Sequence, residues 1–201
     1  MKKRQFIEES EGEEYLHRET WRVVKRQFDR PEDSKKGRMY DDLVAMVFAS
    51  HTIEGYLNFI GDKILPDLWK NEREEFSKTG IPGKLAALVK ACGLEPFDKG
   101  RRPYSTVQAL KKLRDCIAHP KTQKPKSSKV YSEGKEPPMF RKTYLETLIS
   151  REKAERARDD VRDIVARIHA AAVARFPKLH LGDDGLEGII SMHSHSSKPH
   201  Q

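Results

Sequence analysis

The sequence predicts an all-α fold, a bundle of four main helices with several short ones. Apolar residues recur at three- and four-residue spacings along most of the chain, as on helix faces. No stretch of any length alternates apolar and polar residues as a half-buried strand does. The chain has 201 residues, 36% hydrophobic and 35% charged, which predicts one domain whose core is built from amphipathic faces.

The first helix is predicted over residues 14–28. Within it Trp21, Val24 and Phe28 recur at the spacing that places side chains on one helix face. Residues 30–37 are polar, contain both proline and glycine and show no periodicity, so they are predicted to form a loop.

The second helix has the clearest pattern, a stripe that ends near Gly61. The stripe consists of Leu43, Met46, Val47, Ser50, Glu54, Leu57 and Ile60. Glu54 therefore faces inward. A carboxylate on an inward face is hydrogen-bonded in the core, paired across an interface, or part of a functional site.

The middle of the chain is predicted to contain short helices and the third main helix. Residues 64–76 form a short piece interrupted by Pro66, and residues 85–92 form a short core helix. The third main helix has Ser105 or Thr106 as its N-cap and stops at His119, because Pro120 disfavours helical geometry in the residue before it. Its inward side carries Val107, Leu110, Arg114 and Ile117.

The fourth main helix ends at Phe176, before Pro177. Its apolar face consists of Ala157, Val161, Ile164, Val165, Ile168, Ala172 and Phe176. The predicted organisation is a flexible N-terminus (1–13), a single helical domain (14–176) with a flexible basic loop (121–138), and a disordered tail containing His and Ser (177–201).

Composition narrows the function classes. A net charge of +8 favours a polyanionic partner, which by charge alone could be RNA, DNA or a membrane surface, unless the excess only keeps the surface soluble. Cys92 and Cys116 each lie in an apolar helical pattern, which is typical of reduced core thiols. We expect a cytoplasmic protein with no membrane-spanning segment or membrane partner. We also expect no cofactor and no metal site, because the chain has no His-x-x-x-His motif and no paired-cysteine spacing.

One segment combines residues that could carry chemistry, Leu-Arg-Asp-Cys-Ile-Ala-His-Pro at positions 113–120. Arg114 offers a planar fork for a phosphate, and His119 can exchange protons near neutral pH. Asp115 lies one helical turn before His119 and can orient or charge it. On an ideal helix Arg114 and His119 point about 140° apart. Pro120 and a two-fold partner with a second copy of the motif would help to bring them together.

This segment resembles the motif of HEPN domains, in which an Arg and a polar residue are followed by three or more other residues and then a His. The helix order over residues 40–176 is similar to that superfamily. The resemblance implies a dimeric helical bundle with the two motifs facing each other across the interface. Many such proteins are metal-independent endoribonucleases, among them toxins paired with antitoxins, defence proteins and RNA-processing enzymes; others lack the activity.

The resemblance also implies roles for the motif residues. Arg114 would hold the scissile phosphate, His119 would act as general acid or base on the ribose 2′-hydroxyl or the leaving oxygen, and Asp115 would tune both. Basic residues near the motif in sequence are predicted to contact the RNA backbone, with Glu54 in support. These are Arg101, Arg102, Lys111, Lys121 and Lys124.

An alternative interpretation of the motif is structural. Arg114 would pair with Glu54 or Asp115, and His119 would meet the negative end of the helix dipole. The protein would then be a non-catalytic dimer that serves as an interaction or nucleic-acid-binding module.

Overall fold

A computed structural model describes residues 6–29, 37–122 and 142–199. This part of the chain is mostly helical, with eight α-helices and one two-stranded antiparallel sheet. The helices are α1 (Leu16–Arg26), α2 (Arg38–Ile64), α3 (Pro66–Trp69), α4 (Glu72–Glu75), α5 (Ile81–Ala91), α6 (Tyr104–Ala118), α7 (Tyr144–Leu148) and α8 (Arg151–Arg175). The strands are β1 (Phe6–Glu14) and β2 (Ser191–Pro199).

The helix α2 forms the centre of the fold and contacts α1, α3, α5, α6 and α8. Because neighbours surround it, its core side chains occupy more than one face: Ile53, Tyr56, Leu57 and Ile60 are fully buried. The opposite wall of the core is α8, where Val161, Ile164 and Ile168 are buried at helical spacing.

The all-α prediction is confirmed at the level of helical content. The four predicted main helices correspond to α1, α2, α6 and α8, and the predicted short core helix is α5. The helix α8 begins earlier than its apolar stripe indicates, because Ser150 caps it by accepting a hydrogen bond from the Lys153 amide at 3.2 Å.

Each of the two end segments that were predicted to be flexible contains a strand in the structure. The strands β1 and β2 pair with each other, with Gly12 opposite His193. Between α8 and β2, Leu181 and Leu186 are buried in the core. These leucines are isolated among polar residues, so their packing depends on tertiary contacts and leaves no periodic pattern in the sequence. Most of the predicted loop over 121–138 lies outside the described residues.

The expectation that no segment could cross a bilayer stays a prediction, and among the described residues α2 is the helix that bears on it. By length and composition alone this helix is apolar enough to do so, although half of its most apolar window is buried inside the protein. Its central position explains that apolarity, since a helix packed on several sides needs an apolar surface on each of them.

Candidate functional site

The motif residues lie at the C-terminal end of α6. Leu110 and Leu113 bury this helix against the core. His119 follows the last helical residue with φ −126° and ψ 63°, outside the helical region that a following proline disfavours. Its backbone amide still donates to the Asp115 carbonyl at 3.1 Å, so the position of His119 is set by the end of the helix.

The Arg114 side chain points from α6 towards α2. Its Nη1 atom donates to Glu54 Oε2 at 2.5 Å, and its Nη2 atom lies 3.5 Å from Asp115 Oδ1. Asp115 accepts a second bond from Lys111 Nζ at 2.6 Å. The hydrogen bond from Lys111 holds the pKa of Asp115 below its usual range. Asp115 is therefore engaged with two cations of its own helix.

Behind Glu54 lies a buried lysine. Lys84 of α5 is 2% exposed, and its Nζ lies 3.6 Å from Glu54 Oε1. The same ammonium pairs with Glu72 and donates to Asn58 Oδ1 at 2.9 Å. Opposite charges thus alternate from α4 through α5 and α2 to α6, which offsets the desolvation of Lys84 and fixes the Glu54 carboxylate between two cations. We call Glu72, Lys84, Glu54, Arg114, Asp115 and Lys111 the ionic chain.

His119 lies away from the ionic chain. It lines a cavity of about 850 Å³ between the end of α6 and the start of α7. Arg114 does not line this cavity, in agreement with the wide angle between the two side chains on one helix. The His119 side chain makes no hydrogen bond or ion pair with another residue that the structure describes. Asp115, expected to orient it, binds Lys111 instead.

The remaining predicted RNA-binding residues lie in separate places. Arg101 is exposed and pairs with Asp98, and Arg102 donates to Asp160 at 2.8–3.1 Å. Both precede α6, whose 15 residues separate them from His119 by about 22 Å. Lys121 lies in the cavity beside His119. Lys124 falls outside the described residues.

Two residues that the sequence did not single out belong to these sites. They are Lys84 in the ionic chain and Tyr144 in the cavity beside His119. Lys84 shares the inward face of α5 with Ile81, Leu85 and Leu88, so its spacing did carry a signal: a cation on a buried stripe needs a buried carboxylate such as Glu54. Tyr144, beside the His119 cavity, has no such signal, because α7 is a five-residue helix after a long polar segment.

The chain matches no protein-family model, no curated protein and no solved structure. The HEPN resemblance therefore rests on residues 114–119 and the helix order alone. Within the described ranges, no group of three or more His, Cys, Asp or Glu residues is arranged to hold a metal ion. Cys92 and Cys116 are free thiols, and burial raises the pKa of Cys92.

Proposed function

We propose that this protein is a metal-independent endoribonuclease of the HEPN type, acting as a homodimer on cytoplasmic RNA. The role would be that of a toxin, a defence effector or an RNA-processing enzyme, with an antitoxin or other partner protein as regulator. The observation that carries the proposal is the setting of His119, which is exposed in a cavity with three lysines and no carboxylate among its described lining residues.

The reaction needs a base, an acid and a cation at the phosphate. His119 takes the proton of a ribose 2′-hydroxyl, and the 2′-oxygen attacks the adjacent phosphorus. The bond from phosphorus to the 5′-oxygen breaks, and that oxygen takes up a proton from the conjugate acid of His119. The products are a 2′,3′-cyclic phosphate and a free 5′-hydroxyl. Arg114 neutralises the charge on the phosphoryl oxygens in the transition state.

A dimer is part of the proposal because one protomer separates these groups. Arg114 faces α2 while His119 faces the cavity on the other side of α6. A second copy related by a two-fold axis would place a second motif against the first. Ile117 was predicted on the inward side of this helix, but it is 38% exposed, and an exposed apolar residue supports a contact at this end of α6.

A second candidate function is supported by the ionic chain. Arg114 is held by Glu54, which Lys84 also contacts, as expected for an arginine with a structural role. In this proposal the protein is a non-catalytic helical dimer that binds a nucleic acid or a protein partner. It predicts salt-sensitive retention of RNA without cleavage.

The experiment is incubation of the purified protein with a mixed RNA pool in EDTA, followed by analysis of product ends. The variants are His119→Ala and Arg114→Ala, with exposed His51→Ala and Arg73→Ala as matched controls. We expect cyclic phosphates from the wild type and both controls. Loss of a general acid–base residue should slow cleavage by about 10²–10⁴-fold. Circular dichroism and a thermal melt check that each variant folds.

Two outcomes would reject the nuclease proposal. Cleavage that needs a divalent metal, or that continues in His119→Ala, would place the activity elsewhere. If the RNA stays uncleaved but the protein binds it at low salt and releases it at high salt, the result would favour the non-catalytic module. Dimerisation is measured separately by sedimentation velocity, and a monomer at the concentration that cleaves RNA would contradict the paired-motif arrangement.

A further inference from the structure

The cavity beside His119 has an aromatic residue on its wall and cations around it. Tyr144 is 42% exposed, so its ring is accessible from the cavity. The Nζ atom of Lys112 lies 5.9 Å from the centre of the Tyr144 ring. Lys121 and Lys142 line the same cavity. Apart from His119, the other described lining residues are polar but uncharged or apolar: Cys116, Ile117, Pro120, Thr143, Leu145 and Thr147.

Local structure holds Tyr144 in place. It is the first residue of α7, and Thr143 and Glu146 form a capping box around it. The Glu146 amide donates to Thr143 Oγ1 at 3.2 Å, while Glu146 Oε2 accepts from the Thr143 amide. Thr147 Oγ1 donates to the Tyr144 carbonyl at 2.6 Å. An exposed ring on a fixed turn can accept a flat ligand with little ordering cost.

We infer that this cavity is a nucleotide subsite, in which Tyr144 stacks on a base and Lys112, Lys121 and Lys142 contact the neighbouring phosphates. An exposed aromatic ring combined with a cationic groove is how proteins bind single-stranded nucleic acid without reading its sequence. A volume of about 850 Å³ falls among ligand pockets, which span about 300–1,000 Å³. That the ligand is RNA rests on the proposed function; the stacking residue and the phosphate contacts go beyond it.

The subsite would also serve the proposed reaction at His119. A nucleotide stacked on Tyr144 with its phosphates among the lysines would bring its sugar and phosphate near His119, which lines the same cavity. Tyr144 is thus a positioning residue. Because stacking tolerates every base, the subsite requires a base without selecting one.

The test is the affinity of a fluorescein-labelled short single-stranded DNA, which lacks the 2′-hydroxyl and cannot be cleaved by the proposed reaction. A base-free strand of equal length and charge is compared with it. We expect the strand with bases to bind more tightly. Tyr144→Ala should weaken its binding roughly 5- to 150-fold, as for loss of one base stack. Tyr144→Phe should retain wild-type affinity, and exposed Tyr40→Ala, outside the cavity, is the matched control.

The lysines are tested by the salt dependence of the same binding. Each lost phosphate contact lowers the slope of log affinity against log salt by about 0.7 for a single strand. The triple variant Lys112→Gln, Lys121→Gln, Lys142→Gln should therefore lower the slope by about 2. Lys90→Gln, exposed on α5 and outside the cavity, should leave it unchanged.

The outcomes separate this inference from the nuclease proposal. Equal binding of the base-free strand, with no effect of Tyr144→Ala, overturns the subsite even if the wild type cleaves RNA. An acidic peptide of equal charge is a second competitor. If it displaces the DNA completely at equal charge concentration, the surface recognises charge alone, and the subsite is also overturned. Binding that depends on Tyr144 and the lysines supports the subsite even if no RNA is cleaved.

Discussion

Arg114 of α6 donates to Glu54 of α2 at 2.5 Å, so the guanidinium of the motif is bound to a carboxylate 60 residues earlier in the chain. The side chains are 26% and 28% exposed, and Lys84 contacts the same carboxylate from the core side. This pairing joins α2 to α6 at the motif. It also means that a phosphate bound by Arg114 must share the guanidinium with Glu54 or displace it.

We predict that Arg114 and Glu54 are energetically coupled. The Arg114→Ala, Glu54→Gln double-mutant cycle, measured by urea unfolding, should give a coupling free energy of about 1–2 kcal/mol, as for a partly buried, charge-assisted hydrogen bond. The matched control is the exposed pair Arg156–Glu152 on α8. Its coupling should be about 0.3–0.5 kcal/mol. Equal coupling in the two cycles would show that the Arg114–Glu54 bond contributes no more than a surface ion pair.

Sequence periodicity predicted the main helices because each buries apolar side chains at helical spacing. It also placed Glu54 and Arg114 on inward faces, and the structure brings these two together. It could not predict that Asp115 binds Lys111 and not His119, because each of these two residues lies one helical turn from Asp115. Which partner wins depends on where each side chain points once the helix is packed.

The segment after α8 shows a second limit of pattern analysis. Leu181 and Leu186 have no periodic apolar neighbours, yet both are buried in the hydrophobic core. Gly185 lies so close to Val165 and Tyr56 that a Cβ atom there would come within 2.8 Å of both side chains. Close approach of this kind follows from three-dimensional packing, and nothing local in the sequence encodes it.

We predict that acid destabilises the protein through His17. This side chain is 3% exposed and packs against the rings of Tyr15, Tyr56 and Phe59. Burial, followed by the charge of Arg18, lowers the pKa of His17 from 6.5 to about 4. Between these values the unfolded chain binds a proton that the folded chain does not. The contribution of His17 to the unfolding free energy is therefore fully present above pH 6.5 and is lost as the pH falls towards 4.

The size of the His17 effect follows from the shift. It amounts to at most about 3 kcal/mol over that pH range. His17→Phe removes the titration, so its unfolding free energy should fall less between pH 7 and pH 4.5 than that of the wild type. Asp115 and Glu13, whose pKa values are lowered, contribute equally to both proteins. Exposed His51→Phe is the control, and an unchanged pH slope in His17→Phe would exclude His17 as the cause.

We predict that Gly61 of α2 tolerates no side chain. A Cβ atom at this position would lie 2.1 Å from Cε2 of the Trp69 ring, which is buried against the end of α2. Gly61→Ala should destabilise the fold by about 1–3 kcal/mol through overpacking, even though alanine is the better helix former. The measurement is urea unfolding. Gly100→Ala, whose nearest neighbour is Asp98 Oδ1 at 3.5 Å, should change stability by less than about 0.5 kcal/mol.

The final prediction concerns the packing of the segment after α8. Leu186 is 4% exposed. Arg18 holds the neighbouring backbone in place by donating a hydrogen bond to the Ile189 carbonyl at 2.7 Å. Leu186→Ala should therefore lower the unfolding free energy by about 2 kcal/mol, as for removal of a buried leucine at the edge of a core. Leu179→Ala, at a more exposed leucine of the same segment, should cost less than about 1 kcal/mol. Equal, negligible effects of the two substitutions would mean that this segment does not pack and that the disorder predicted from the sequence is correct.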